Sequence, residues 1–212
     1  MKTVGIALLL AFSLSSAMAS QEKIYAFKVY LDNSEIGYHN FRISSGGDHT
    51  RVTIEANFDV RFLFFSAYRY FHSNSELWQG DCLKRIDAST NDNGKQLYVR
   101  GNPAYDALHL STHSGNSKLE GCVRTFAYWD PGLLATETLL NAQTGELEDI
   151  RFSRIGASQI ELDGESVKAV QYRIDSEKFV IDLWYTPQRE WLALESVTED
   201  GTRLKYTAQR EL

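Results

Sequence analysis

The run RVTIEANFDVR at residues 51–61 alternates apolar and polar side chains with a period of two. Val52, Ile54, Ala56, Phe58 and Val60 fall on one side; Arg51, Thr53, Glu55, Asn57, Asp59 and Arg61 fall on the other. Successive side chains of a β-strand point to opposite faces, so this run predicts a strand with one buried and one wet face. The same rhythm recurs in IYAFKVYL at 24–31, IGYHNFRI at 36–43, SELWQG at 75–80, CLKRIDAST at 82–90 and KQLYVRGN at 95–102. From residue 146 onward it returns in ELEDIRFSRI, SQIELD, ESVKAVQYRI, KFVIDLWYT, EWLALESVTE and RLKYTAQREL. The connections are short and rich in turn residues, and Asn93-Gly94 is the strongest hairpin signal. Links this short make neighbouring strands antiparallel partners. Residues 103–120 show little periodicity and read as a loop region.

Roughly a dozen strands in one antiparallel sheet cannot stay flat, because strand twist makes large sheets curl or close. The expected fold is therefore mainly β: a single large curved antiparallel sheet, a half-barrel or open barrel, with one short helix packed on its concave side. The helix is placed in YWDPGLLATETLLNAQTG at 128–145. Asp130 stands where an N-cap belongs and Pro131 where the first helical residue belongs. Leu133, Leu134, Leu139 and Leu140 supply an apolar stripe, and Asn141 ends it. A second run, FLFFSAYRYF at 62–71, is apolar or aromatic on both faces and so needs cover on both sides. The helix is expected to provide that cover, either as a permanent plug or as a lid over a cavity.

Residues 1–19 carry the pattern of a cleaved signal peptide. Lys2 begins it, Val4 to Leu14 form an apolar stretch too short to span a membrane, and Ala17-Met18-Ala19 gives a small-x-small cleavage site. Residues 20–212 are then expected to form a single β-rich domain, exported to the periplasm and soluble. No cysteine stands directly after the cleavage site, so no lipid anchor is expected; no transmembrane segment is expected in the mature chain either. In an oxidising compartment an even pair of cysteines is most simply a disulfide, here Cys82 with Cys122. The net charge of -6, with basic residues scattered among acids, argues against nucleic acid as a partner.

Several stretches resemble one known family. LDNSEIGYHNFRI, FFSAYRYFHSNSELWQGDCL, ASTNDNG, TFAYWDPGLL, LLNAQTGELE and DLWYTPQREWLALE, in this order, are similar to an exported bacterial family known as domain of unknown function 6134. That resemblance brings no established activity. It implies a distant likeness to curved half-barrel periplasmic proteins that carry lipoproteins or lipids in a hydrophobic concavity.

Motifs for chemistry are sparse. His109 and His113 in HLSTH have no HExxH glutamate, so no metal site is expected. No G-x-S-x-G elbow is present, and no cofactor is expected. Aromatic clustering is the stronger signal, because Trp and Tyr pair a large apolar body with a polar tip that suits a cavity mouth as well as a core. The candidate ligand-binding set is Phe62, Phe64, Tyr68, Arg69, Tyr70, His72, Trp78, Tyr128, Trp129, Leu133 and Trp184. Arg69 and His72 can fix a ligand headgroup or can be satisfied polar groups of the sheet. The leading functional expectation is a periplasmic binder or carrier of a hydrophobic small molecule or lipid. A lipid- or glycan-acting envelope enzyme using Arg69, His72 and Asp130 is the alternative, and an assembly role with an envelope protein partner is a further one.

Overall fold

The computed structural model describes residues 21–62, 65–130, 132–133, 136–197 and 201–209. The expected signal peptide, and within the candidate site Phe64, lie outside these residues. Fifteen strands follow in chain order: β1 (Gln21–Leu31), β2 (Ser34–Gly46), β3 (His49–Phe62), β4 (Phe65–Gln79), β5 (Cys82–Asp92), β6 (Lys95–Ala104), β7 (Ala107–Thr112), β8 (Gly115–Glu120), β9 (Thr138–Leu140), β10 (Leu147–Asp149), β11 (Arg151–Leu162), β12 (Glu165–Asp175), β13 (Val180–Tyr185), β14 (Trp191–Val197) and β15 (Arg203–Ala208).

Thirteen of them form one antiparallel sheet in the order β11-β12-β13-β14-β15-β1-β2-β3-β4-β5-β6-β7-β8, which does not close on itself. The expectation of a single large antiparallel sheet is met. Two meanders meet where β1 pairs with β15, with Phe27 opposite Ala208 and Val29 opposite Tyr206. The free edges are therefore β8 and β11, and residues 121–150 lead from one edge to the other.

Hairpin chemistry follows local rules. Asn93-Gly94 and Asp163-Gly164 both have positive φ at the two central positions, as the primed turns of tight hairpins require. Gly37 lies beside the β1–β2 register shift, and a Cβ there would stand 1.9 Å from the Asn57 carbonyl oxygen, so only glycine fits.

Two local expectations are corrected. Residues 103–120 are not a loop region: β7 and β8 form a hairpin there, with Leu108 and Leu110 buried. ELEDIRFSRI and SQIELD are not separate strands in one meander either. β10 leaves the large sheet to pair with β9, while β11 runs unbroken from Arg151 to Leu162 with a bulge at Arg154/Gly156.

The expected helix does not form among the described residues. Its start is as anticipated, since the Asp130 side chain accepts from Gly132 N–H at 2.9 Å and its carbonyl from Leu133 N–H at 3.1 Å. The turn then stops. Thr138, Leu139 and Leu140 go into β9, where Leu139 faces Glu148 and Leu140 faces Leu147. Gly132 and the β-branched Thr136 and Thr138 weaken helix formation, and a buried ladder satisfies the backbone better than one isolated helical turn. Leu134 and Ala135 lie outside the described residues.

Residues 121–150 thus form an irregular strap instead of a helix. Val123, Thr125, Ala127, Leu133, Leu139 and Leu140 are all buried, and their apolar members join Phe27, Trp78 and Trp191 in one core. The strap is pinned at its start by the Cys82–Cys122 disulfide, with Cα atoms 4.9 Å apart, and by Leu83 N–H donating to the Val123 carbonyl at 2.9 Å.

The bridge closes a loop with a sequence separation of 40. The chain-entropy model then gives the disulfide ~4 kcal/mol of stability. The Cys82→Ser/Cys122→Ser double variant should lose stability of that order in urea unfolding. The native oxidised protein should show no thiol until reduced; thiols reacting without reductant would contradict the pairing.

Candidate functional site

Cross-strand partners share a face, so the register identifies which side chains point into the concavity. One inward row runs Phe27, His39, Ala56, His72, Thr90 and Leu97 across β1 to β6. A second runs Tyr172, Leu183, Leu194, Tyr206 and Val29, and continues through Gly37, Phe58 and Tyr70. On β4 alone the inward residues are Tyr68, Tyr70, His72, Asn74, Glu76 and Trp78. This strand is unusual in burying polar side chains at three consecutive inward positions, His72, Asn74 and Glu76.

Each of the three has a partner. Glu76, only 1 % exposed, accepts from Asn74 Nδ2 and Trp78 Nε1, both at 2.8 Å. Burial pushes its carboxyl pKa up, opposed by hydrogen bonds with Asn74, Trp78 and the strap's Thr125. His72 Nδ1 lies 2.8 Å from the Thr90 hydroxyl, and His39 Nδ1 lies 3.3 Å from the Tyr206 hydroxyl. Desolvation lowers His72 to about 4 and, with the neighbouring His72, lowers His39 to about 3. Both imidazoles are therefore neutral in the folded protein at pH 7.

The strap fills the concave face against this floor. Trp129 meets Trp78 edge-on with centroids 5.6 Å apart, and Tyr128 packs on Trp191 at 5.2 Å. Trp191 also packs on Phe27 at 4.1 Å and on Phe41 at 5.1 Å, which makes it the hub of the aromatic core. The Tyr185 hydroxyl donates to the Tyr128 carbonyl at 2.8 Å. Arg124 fastens the strap to itself and to the sheet, 3.2 Å from Asp130 and 2.7 Å from Asp81. Gln143, in the β9–β10 turn, accepts from the Tyr70 hydroxyl at 3.2 Å.

Burial is uneven along the concavity. Near the hairpin turns at 32–33, 93–94 and 176–179 the inward apolar side chains are only half-buried: Leu31, Val60, Tyr70, Phe152, Tyr172 and Leu204. Phe126 and Phe179, 5.7 Å apart, lie between strap and sheet with the same partial exposure.

The structure brings together some of the candidate residues. Tyr70, His72, Trp78, Tyr128, Trp129 and Leu133 meet on the concave side, and Tyr68 points the same way, donating to Asp92 at 2.7 Å. Arg69 and Trp184 point outward. Arg69 pairs in register with Asp59, and Trp184 lines a cleft of about 240 Å³ under the β11–β12 hairpin, with Ile160 and Thr207. Phe62 ends β3, but its side chain lies outside the described part. Arg69, His72 and Asp130 do not converge, because one faces outward, one is enclosed beside Thr90, and one is held by Arg124. The cover over β4 comes from the strap, while Phe71 on its outer face stays 43 % exposed.

Sequence reasoning missed His39, Glu76, Tyr206, Arg124 and the central role of Trp191. His39 was accessible, since it falls in step with Phe41 and Ile43. Glu76 was hidden, because a polar residue in a strand reads as outward-facing. Among the described residues no group of three or more His, Cys, Asp or Glu is placed to hold a metal ion.

Neutral burial of the two histidines predicts acid sensitivity. Their folded pKa values lie below the ordinary 6.5, so the unfolded chain binds more protons and stability falls as pH drops from about 6.5 toward 4. By pH 4.5 each imidazole should cost about 2.5 kcal/mol. Urea unfolding across this range should show a steeper loss for the wild type than for His39→Asn/His72→Asn. Equal slopes would refute the assignment.

The family described as Domain of unknown function (DUF6134) matches residues 27–209. No curated protein matches the chain. Among solved structures, the crystal structure of a beta-barrel-like protein of domain of unknown function DUF1849 from Brucella abortus is similar. Identity is 10%, the TM-score is 0.64, and the match covers 90% of this chain and 96% of that one. At this identity the likeness establishes the fold alone: a curved, barrel-like sheet.

Proposed function

From the premise that this chain belongs to the family described as Domain of unknown function (DUF6134), we propose that it is an exported periplasmic carrier of a hydrophobic, lipid-like ligand. The observation that carries this reading is the unequal cover of the concave face. The strap packs the middle of the concavity with Tyr128, Trp129 and Leu133, while the turn end keeps a half-buried aromatic and aliphatic rim. Leu31 and Val60 line one cleft of about 680 Å³ at this end, and Phe152 lines another of about 820 Å³. Partly exposed apolar side chains at such a rim are what a ligand's hydrocarbon chain can cover.

The polar tips of Tyr68 and Tyr70 flank this mouth and suit an amphiphilic ligand with its headgroup toward solvent. Deeper entry requires the strap's Ala142-Gln143 turn to move off Tyr70, breaking the hydrogen bond to Gln143 and straining the pairing of Lys178 with Glu146. Catalysis has weaker support, since the acid, base and cation that it would need stay apart.

Protein recovered from its own compartment should retain lipid in native mass spectrometry. Purified, delipidated protein should bind a fluorescent polyene fatty acid, and Tyr70→Glu/Leu204→Glu should weaken that binding at least tenfold. Ligand-free native protein together with no fatty-acid binding would overturn the carrier reading.

A further inference from the structure

The opposite, outward face of the sheet carries a second feature. Outward residues of β4 and β5 are small at its centre: Ser73, Ser75 and Ser89 end one heavy atom beyond Cβ. Their neighbours are longer. Asn40 and Arg42 rise from β2, Glu55 from β3 and Asp87 from β5, so the small residues become the floor of a trough of about 600 Å³. Ile24 and Ala26 of β1 form its apolar end.

Aromatic side chains adjoin it. Tyr98 of β6 lies in the same outward row as Ser89, Ser73, Glu55 and Asn40, and is 38 % exposed. Arg100 lies over its ring at 5.4 Å and is steadied by Asp87 at 3.7 Å, which limits how the ring can turn. Phe71 stands in the next row along β4, its ring in solvent.

We propose that this trough binds an oligosaccharide, at a site separate from the concave face. The choice of ligand class rests on the mixture of groups. Arg42 donates, Glu55 and Asp87 accept, and the serines and Thr53 do both, which matches a ring of hydroxyls that donate and accept at each position. An anionic ligand would meet Glu55 and Asp87, and an acyl chain would strip water from every polar wall without replacing its hydrogen bonds. A sugar ring also has an apolar C–H face, for which Tyr98 and Phe71 are flat partners. Ile24 and Ala26 provide a place for an acetamido methyl. The trough is open along its length, so ordering few groups gives modest affinity, with Kd on the order of 0.1–1 mM.

The test uses tetra-N-acetylchitotetraose and cellotetraose as probes, with saturation-transfer NMR and calorimetric titration on the full mature protein. Binding of at least one probe is expected, weakened at least tenfold by Tyr98→Ala and by Asp87→Ala. Both residues are exposed and outside the core, and unchanged thermal unfolding shows that the fold is kept. Ser73→Trp, which fills the floor, should abolish binding while leaving fatty-acid binding intact. Binding of neither sugar overturns the proposal, as does binding that survives all three substitutions.

Discussion

The pairing of β1 with β15 is the contact on which the rest of the architecture depends. It joins the beginning and the end of the described chain at the centre of the sheet, so that one meander runs outward through β2–β8 and the other through β14–β11. Phe27, Val29 and Tyr206 meet across this seam; Phe27 and Val29 are fully buried, and Tyr206 is buried beside them. Because the chain's two ends occupy the middle, its midpoint must travel between the two free edges. That requirement creates the strap. The long-range seam also forms late by loop-closure reasoning, since it brings together segments far apart in sequence.

Placing the strap inside the concavity has consequences for polarity. An irregular segment cannot satisfy its backbone as a strand in a sheet does, so it borrows partners: Tyr185 for the Tyr128 carbonyl, Leu83 for the Val123 carbonyl, and Arg124 for Leu140 N–H. Glu76, a buried carboxyl with Thr125 of the strap among its partners, belongs to the same solution. Such groups are costly to bury alone and become tolerable only in a complete network. The network holds the strap's middle tightly, and its turn end is held by the bond from Tyr70 to Gln143 and by Lys178 on Glu146 and Glu148. Function is proposed at that end because the inward apolar side chains there are only half-buried.

Much of this was legible along the chain. Period-two alternation located most strands of β1–β6 and β12–β15, and the Asn93-Gly94 turn fell where its chemistry demanded. The cysteine pair was readable from its even number. Resemblance to the unknown-function family, carried by motifs such as TFAYWDPGLL, also held. The failures share one cause. Leu139 and Leu140 have spacing compatible with a helix, and only the proximity of Leu147–Asp149 makes them a strand. His72, Asn74 and Glu76 look like an outward-facing row until the register of β3 and β5 turns them inward. Arg69 and Trp184 share aromatic neighbourhoods with the inward residues, yet parity places them on the other face.

What the sequence determined by itself was local and additive: strand rhythm, turn type and the disulfide pair. Those properties arise from side-chain periodicity, backbone sterics and cysteine parity, which act over a few residues or over the whole composition. Tertiary structure alone decided which face each strand buries, that the midpoint becomes a strap instead of a helix, and that small outward residues on β4 and β5 lie between taller neighbours on β2, β3 and β6. Each of these depends on the pairing of strands distant in sequence, and a shift of one residue in register would exchange the two faces.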